Sequence, residues 1–374
     1  MKFVVSSDIL SDHLQLTSKV MNSKNVTPVL DYILLSLKNS TLTIMGTDLQ
    51  TTLVSEIEVS HVDQEGAIAI PKQLMAPLQM MSNQPITIAV DKENNSIELT
   101  SSNGRYTFTG CSAEEYPEIP HIESTTKFSI KTDVLNEGIG RTLFAVGNDE
   151  MRQIMNGVYF DIHQDDLTFV ATDAHKLARY VRKDVKSDAD SSFILPKKSA
   201  TMLRTILVKE VEDVEVAFNE DNVAFTLPNY RLVCRLIEGT FPNYVAVIPI
   251  DNPNKAVLNR LDFLAVTKRV ATVAPTETGL VKLSFTKDQL KISAENLGYA
   301  YDGEETISCQ YEGESLDIGF RALHLTEMLQ NLISEEVTIE MSNPSRAGLI
   351  CPTVEDSTDE SSLMLLMPMM LSSD

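Results

Sequence analysis

The residues best suited to acid–base chemistry lie near the middle of the chain, where one residue separates Asp173 from His175. On a strand these two side chains would share a face, but in a turn they need not meet. The sequence offers no nucleophile-elbow serine or cysteine and no glycine-rich loop for a nucleotide phosphate. None of the six histidines has the spacing of metal ligands. A turn-forming aspartate beside an exposed or capping histidine is favoured over catalysis, so we expect no enzyme, no metal and no cofactor.

The stretch around Asp173 has a twin earlier in the chain. Thr172 and Asp173 lie 125 residues after Thr47 and Asp48. The same offset relates three further pairs of segments, Lys2-Phe3 with Lys127-Phe128, Ile70-Pro71-Lys72 with Leu195-Pro196-Lys197, and Tyr116-Pro117 with Phe241-Pro242. Four matches in one register predict an internal repeat.

Three copies of this repeat account for the 374 residues, and each copy has the size of an ordinary domain. We predict domains at 1–122, 126–249 and 253–374. Helical spacing of apolar residues predicts two helices in each copy, at 7–21, 72–81, 131–146, 197–208, 260–274 and 320–334. Short strand patterns complete an α+β fold, in which paired helices pack on antiparallel sheets. The third copy is the most divergent, because Lys291–Asn296 occupies the place of the motif without a Thr-Asp pair.

The net charge of −22, taken for the whole chain, argues against nucleic acid, because phosphate contacts need Lys and Arg. The six predicted helices, however, hold 11 Lys and Arg against 6 Asp and Glu, which leaves 20 against 47 elsewhere. One interpretation is that acidic residues simply crowd the surface loops. The other is a mildly basic helical face that meets DNA phosphates. Its candidate residues are Lys24, Lys72, Arg141, Arg152, Lys197, Lys198 and Arg204.

The composition is typical of a soluble globular protein, with 43% hydrophobic and 22% charged residues. No apolar run approaches the length of a membrane span, and a charge at Lys2 precedes any signal-like core. We therefore expect a cytoplasmic protein with no membrane partner. In that reducing compartment the four scattered cysteines are expected to be small buried residues.

Several motifs together carry a family resemblance: Met1-Lys2-Phe3, Thr27-Pro28-Val29-Leu30, Gly46-Thr47-Asp48-Leu49, Asn156-Gly157, Val170 to Ala178, Phe241-Pro242-Asn243-Tyr244 and Met367-Pro368-Met369. With these residues the chain resembles, over its full length, the bacterial DNA polymerase III beta subunit family, the sliding clamps. The resemblance implies a head-to-tail homodimer whose six domains close a ring around duplex DNA. Such a ring is a processivity factor that holds a polymerase to its template by topology, without sequence specificity.

The C-terminal tail from Leu363 to Leu371 is unusually apolar for a chain end. It predicts either a terminal edge strand whose methionines fill core gaps, or a methionine-rich surface for peptide recognition. In the resembled family, the tail and the central motif form a hydrophobic pocket for short linear peptides of the replicative polymerase, the clamp loader and repair polymerases. The resemblance implies a pocket made of Met155, Thr172, His175, Lys176, Leu177, Pro242, Val247, Leu365, Met367, Pro368 and Met369.

Four positions depart from the family pattern. Ala174 stands where glycine is usual, and Lys176 where arginine is common. Ala246 and Met370 stand where arginine is frequent, and Ser372-Ser373-Asp374 extend past the usual end. We therefore expect a pocket that is more apolar and less cationic than in the family.

The family pairs the edge of its first domain with the third domain of a second copy. Tyr106 and Phe108, on the last strand of the first repeat, and Val273, at a helix end of the third, are the interface candidates. An exposed edge strand needs a partner or protection, which pairing between copies would supply. The rival interpretation is a monomeric peptide-binding scaffold that does not enclose DNA. The triplication and the basic helices favour the clamp.

Overall fold

A computed structural model describes residues 1–22, 25, 27–119, 122–123, 126–208, 211–355 and 357–371. They form two compact units, one made of Met1–Asp133 with Thr201–Leu236 and the other of Val134–Ala200 with Ile237–Asp374. Helices and antiparallel sheets make up both units, so the predicted α+β class is confirmed.

All six predicted helices are present in the described part of the chain. They are α1 (Ser7–Ser18), α2 (Met75–Met80), α3 (Thr132–Thr142), α4 (Lys197–Leu207), α5 (Arg260–Val270) and α6 (Ala322–Asn331). Three are shorter than predicted because a turn of 3-10 helix takes over at one end, at Lys72–Leu74, Leu143–Ala145 and Ala271–Val273. In α1 the predicted apolar stripe is buried, with Leu10 and Leu14 inside the core of the first unit.

The first unit contains two sheets. Five strands form one, in the spatial order β5 (Ser60–Gln64), β1 (Lys2–Ser6), β7 (Pro85–Asp91), β8 (Ser96–Thr100) and β9 (Arg105–Thr109). Eight strands form the other, in the order β10 (Thr126–Ile130), β15 (Val214–Phe218), β16 (Asn222–Thr226), β17 (Tyr230–Arg235), β4 (Thr51–Glu58), β3 (Thr41–Thr47), β2 (Tyr32–Lys38) and β6 (Gly66–Pro71). Strands of the first and second repeats therefore share one sheet.

The second unit follows the same plan. Its larger sheet runs in the order β14 (Ser191–Pro196), β11 (Gly157–Ile162), β12 (Leu167–Thr172), β13 (Lys176–Arg182), β26 (Glu360–Leu366), β25 (Gly348–Pro352), β24 (Glu336–Met341), β18 (Asn254–Asn259) and β22 (Gln310–Glu312). Its smaller sheet runs in the order β21 (Tyr301–Ser308), β20 (Gln289–Asn296), β19 (Leu280–Thr286) and β23 (Leu316–Arg321).

Two strand pairings join consecutive repeats, and each pairs the strand that follows a Thr-Asp motif with the last strand of the next repeat. At the first joint β4 pairs antiparallel with β17, with Thr51 opposite Cys234. At the second joint β13 pairs antiparallel with β26, with Lys176 opposite Leu366. Thr51 and Lys176 each lie four residues after the threonine of a Thr-Asp motif. The twin motifs therefore mark where one repeat is joined to the next.

Candidate functional site

Thr172 and Asp173 build a tight hairpin turn between β12 and β13. The Thr172 hydroxyl donates to the Lys176 carbonyl at 2.8 Å and accepts the N–H of Ala174 at 3.1 Å. One carboxylate oxygen of Asp173 accepts the N–H groups of His175 and Lys176, each at 2.9 Å. Ala174 takes a left-handed conformation with φ 74°, which the turn requires. Asp173 thus serves the backbone of the turn, as its type and position predict.

The twin motif makes the same turn between β3 and β4. The Thr47 hydroxyl donates to the Thr51 carbonyl at 3.2 Å and accepts the N–H of Leu49 at 3.0 Å. One oxygen of Asp48 accepts the N–H groups of Gln50 and Thr51 at 3.0 and 2.7 Å. Leu49, with φ 71°, is the counterpart of Ala174. The two copies therefore match at the level of individual hydrogen bonds.

The C-terminal tail continues past β26 and is held at two points of the second unit. The N–H of Met367 donates to the carbonyl of His175 at 2.9 Å, and the N–H of Met369 donates to the carbonyl of Gly319 at 2.8 Å. Pro368, which lacks an N–H, stands between these two bonds. The tail thus passes from the hairpin turn to β23, and the Met367 side chain stays 43% exposed.

Lys176 points into the protein, where two carboxylates pair with it. It is only 6% exposed, and its Nζ lies 2.9 Å from Asp173 Oδ2 and 3.0 Å from Glu327 Oε2 on α6. Burial opposes the charged form, but the hydrogen bonds to these two carboxylates raise the pKa of Lys176 above its ordinary value. The ammonium of Lys176 is therefore already paired within the protein.

The segment after Phe241 is fixed by aromatic and polar contacts. The ring of Phe241 stacks on Tyr159 with centroids 4.5 Å apart, and the Tyr244 hydroxyl donates to Asp161 Oδ2 at 2.7 Å. Burial and this hydrogen bond raise the pKa of Tyr244, so the hydroxyl remains a donor. A turn of 3-10 helix at Val245–Val247 then leaves the side chain of Val247 56% exposed.

A groove of about 540 Å³ lies beside this segment. Its walls are the chain from Ala246 to Asp251 and the loop from Ser345 to Ala347, and Met367 of the tail contributes to the lining. The volume falls within the range of roughly 300–1,000 Å³ that is usual for ligand pockets. Beneath the groove lies an apolar cluster of Val170, Leu177, Ile194, Phe241, Ala347, Leu349 and Leu365.

The eleven predicted pocket residues occupy several kinds of position. Val247 and Met367 line the groove. Leu177 and Leu365, each 3% exposed, belong to the cluster beneath it. Thr172 and Lys176 are buried in the hairpin turn, and His175 is exposed at its tip. The remaining members are half-buried and do not line the groove: Met155, Pro242, Pro368 and Met369.

Sequence reasoning missed the loop that forms the second wall of the groove. Asn343 Oδ1 accepts the N–H groups of Ser345 and Arg346 at 3.0 and 3.1 Å, which fixes the turn before β25. This turn lies in the divergent third repeat. Its only signal in the sequence is Asn343-Pro344, a turn-forming dipeptide that predicts a loop and no site.

Arg141 is not available for DNA, contrary to the prediction. Its side chain is 8% exposed, and its Nε donates to Glu137 Oε1 at 2.9 Å. Its Nη1 donates to Ser362 Oγ at 3.2 Å, and the guanidinium lies 4.9 Å from the centre of the Tyr180 ring. The buried carboxylate of Glu360 lies 3.8 Å from Nη2. Arg141 therefore stabilises the packing around β13 and β26.

The other DNA candidates retain a basic group near the surface. Arg152 is 46% exposed beside Asp149, and Lys72 is half-exposed with its Nζ 3.4 Å from the Asn22 carbonyl. Lys197 and Lys198 form the first turn of α4, and Arg204 lies in its last turn. Lys24 lies outside the described residues.

The interface candidates lie on outer strands of their own sheets. β9, with Tyr106 at 41% exposure and Phe108 half-buried, is the outermost strand of the five-stranded sheet in the first unit. β21 is the outermost strand of the four-stranded sheet in the second unit, and Val273 packs against its Gly303. Tyr299 and Tyr301, next to and within β21, are 69% and 56% exposed.

Two further observations concern metals and membranes. Within the described ranges, no group of three or more His, Cys, Asp or Glu side chains is placed to hold a metal ion. No helix in the described part of the chain is long and apolar enough to cross a membrane.

Comparison with known proteins gives a consistent result along the chain. Family models of the DNA polymerase III beta subunit match residues 1–120 (N-terminal domain), 129–243 (central domain) and 245–370 (C-terminal domain). The beta sliding clamp of Bacillus subtilis is 28% identical, and the match covers 98% of this chain and 99% of that protein. The beta sliding clamp of Haemophilus influenzae is 29% identical, and the match covers 99% of this chain and 100% of that protein.

Solved structures agree with these relatives. The Pseudomonas aeruginosa sliding clamp bound to griselimycin has a TM-score of 0.94 at 26% identity, covering 99% of this chain and 100% of that one. The Bacillus subtilis clamp has a TM-score of 0.93 at 27% identity, covering 100% of both chains. The chain therefore belongs to the DNA polymerase III beta subunit family, and its function is that of a sliding clamp, a processivity factor for a DNA polymerase.

Proposed function

We propose that the chain acts as a head-to-tail homodimer that closes into a ring around duplex DNA. The observation that carries this proposal is that both joints within the chain pair the strand after a Thr-Asp motif with the last strand of the next repeat. A third joint of the same kind needs counterparts of β4 and of β17. Counting by the 125-residue offset, these counterparts are β21 and β9, each an outermost strand of its own sheet. Two identical joints between copies would close a dimer.

The repeat also supplies the register of the proposed joint. Because Thr51 lies opposite Cys234, the offset places Tyr301 of one protomer opposite Thr109 of its partner. By the same rule Ser55 opposite Tyr230 becomes Glu305 opposite Arg105, a pair of opposite charges. The proposed domains of each protomer are 1–122, 126–249 and 253–374, with Tyr106, Phe108 and Val273 in the joint.

Cross-linking tests both closure and register. Thr109→Cys with Tyr301→Cys should give a covalent dimer on oxidation, whereas each single variant and the wild type should not. Oxidised on nicked circular DNA, the double variant should resist stripping at high salt. The same protein should slide off after the DNA is linearised. Monomeric mass, with equal loss from circular and linear DNA, would support the monomeric scaffold instead.

The DNA contact we propose is electrostatic and reads no bases. Its residues are Lys24, Lys72, Arg152, Lys197, Lys198 and Arg204. Scattered Lys and Arg bind phosphates without sequence information. The strong negative charge of the rest of the chain limits non-specific adhesion to nucleic acid elsewhere on the surface.

The groove beside Val247 and Met367 is the proposed docking site for short linear peptides of the polymerase, the clamp loader and repair polymerases. Its apolar lining, exposed methionine and modest size suit weak, exchangeable binding. Deleting residues 367–374 removes Met367 from the lining and should abolish peptide binding measured by fluorescence polarisation. Dimer mass by light scattering should not change, because the proposed joint uses other residues. A truncated protein that still binds peptide would place the docking site elsewhere.

We further propose that the protein works in the cytoplasm and without catalysis. The one acid–base candidate, Asp173 with His175, is engaged in a hairpin turn through the Asp173 carboxylate. Binding and topology suffice for the proposed role.

A further inference from the structure

The groove has a charged mouth that the apolar lining does not explain. Arg346 and Asp251 both contribute to its walls, and both are exposed. Within the described part of the chain, neither side chain has an ion-pair partner, and the two do not pair with each other. An exposed arginine held near an apolar groove without a carboxylate partner can take one from a ligand.

Arg346 is also held in place. Its N–H donates to Asn343 Oδ1 at 3.1 Å and to the Asn343 carbonyl at 3.3 Å, so the backbone of this wall is fixed. The next residue, Ala347, is 8% exposed and belongs to the apolar cluster beneath the groove. The side chain of Arg346 therefore starts from a backbone position that is fixed at the wall of the groove.

No other cation replaces Arg346 among the described residues that line this groove. Lys176, the basic residue of the hairpin turn, is buried between Asp173 and Glu327. Position 246, on the opposite wall, is an alanine. The remaining charge at the lining is Asp251, which repels a carboxylate on its own side of the groove.

We propose that Arg346 is a specificity-determining residue of the groove, selecting peptides in which an acidic residue stands beside the apolar anchor. Asp251 fixes the polarity of the bound peptide, because it favours a neutral or basic residue at the other flank. The proposal rests on the peptide-docking function proposed above and adds the charge pattern of the partner. It also explains how a chain with a net charge of −22 can accept an acidic segment at one place.

The test uses the full-length protein and fluorescein-labelled hexapeptides with a single Leu or Phe anchor. One series carries Asp, Asn or Lys at each position flanking the anchor. An exposed arginine–carboxylate contact is worth up to about 1 kcal/mol, so the Asp peptide should bind about fivefold tighter than its Asn counterpart at one flank. That preference should weaken as salt screens the charges.

Variants of Arg346 test whether this residue causes the preference for Asp over Asn peptides. Arg346→Gln should remove the difference between Asp and Asn peptides, Arg346→Lys should keep most of it, and Arg346→Glu should favour the Lys peptide. Lys186→Gln is the matched control, because it removes one exposed positive charge of the same unit away from the groove. It should leave the preference unchanged.

The outcomes separate the two proposals. If peptides bind but Asp and Asn versions bind alike, or if the preference survives in Arg346→Gln, the role of Arg346 is overturned while the docking site stands. If no peptide binds the wild type, the docking site is overturned and Arg346 with it.

Discussion

The N–H of Met367 donates to the carbonyl of His175 at 2.9 Å, one residue beyond the last pair of the β13–β26 ladder. At the first joint the N–H of Arg235 donates to the carbonyl of Gln50 at 2.7 Å, again one residue beyond the ladder. The chain thus uses the same connection twice. The second connection is followed by the apolar tail, and Met367 of that tail lines the groove.

Asp173 and Asp48, the aspartates of the two turns, should both contribute to stability, but only Asp173 should affect peptide binding. Asp173→Ala leaves two backbone N–H groups without their acceptor and removes one of the two carboxylates that pair with the buried Lys176, which should cost about 2 kcal/mol of unfolding free energy. Asp48→Ala should destabilise the first joint for the same reason. Peptide affinity should fall only in Asp173→Ala, because only that turn supports the groove. Thermal unfolding and fluorescence polarisation on both variants provide the comparison, and equal affinities would contradict it.

Stability should fall on mild acidification because of His324. Burial first, and the charge of Lys176 second, lower the pKa of His324 from 6.5. The unfolded chain therefore binds this proton more readily, so stability is present above pH 6.5 and is lost as the pH falls below it. The other charged groups facing the ring are Asp173, Glu327 and Arg321.

Asp173 titrates in a separate, lower window. Although burial opposes it, hydrogen bonds from Lys176 and the turn lower the pKa of Asp173 below 3.8, so its contribution is lost only under stronger acid. The melting temperature can be measured between about pH 7.5 and 5.5, a range that brackets the ordinary histidine pKa. It should fall with decreasing pH for the wild type and change less for His324→Gln. The same pH dependence of the melting temperature in both proteins would mean that another group titrates in this pH range.

Removing the aromatic side chains of β9 should dissociate the dimer. Tyr106 is 41% exposed, whereas Phe108 is half-buried and packs against the core of the first unit, so a Tyr106→Ala single variant isolates the interface effect. Loss of aromatic anchors from an interface typically costs about 2 kcal/mol or more. Tyr106→Ala with Phe108→Ala should sediment as folded monomer, with Met80→Ala, an exposed side chain on α2 of the same unit, as a control. A stable dimer of the double variant would refute the proposed joint.

Neutralising α4 should weaken DNA binding uniformly. Changing Lys197, Lys198 and Arg204 to Gln removes basic groups without removing any base-reading contact. The slope of log affinity against log salt should decrease by roughly 0.9 for each phosphate that the protein no longer neutralises. Binding to unrelated duplex sequences should fall by the same factor. An unchanged salt dependence would place the DNA interface on other residues.

Arg141 should behave differently from those three residues. Arg141→Gln leaves Glu360 and Glu137 without their main cation, and such a loss inside the protein costs about 3–5 kcal/mol. The melting temperature should therefore drop, while the salt dependence of DNA binding by the folded protein stays unchanged. If Arg141→Gln has a normal melting temperature but binds DNA more weakly, Arg141 contacts DNA after all.

The contrast between Arg141 and the Thr-Asp turns illustrates what could be predicted from the sequence. The hydrogen bonds of each turn join residues within a segment of five, so residue types and their spacing were enough to predict the turns from the sequence. The six helices were predictable because their apolar spacing is local. Arg141 lies on a predicted helix with Glu137 one turn away, but Ser362 and Glu360 come from strand pairing more than two hundred residues later. Arg346 was missed for a related reason, since its importance comes from Met367 and the 246–251 segment lying opposite.

The shared geometry of the joints has a thermodynamic consequence. The two strands of a joint within one chain are tethered by the polypeptide. The tether gives them an effective concentration of about millimolar, so dilution of the protein cannot separate them. The proposed joint between β9 and β21 of two protomers has no such tether and obeys mass action. In a closed ring of six similar joints, opening would therefore occur at the two that lack a covalent link, whatever small sequence differences exist among them.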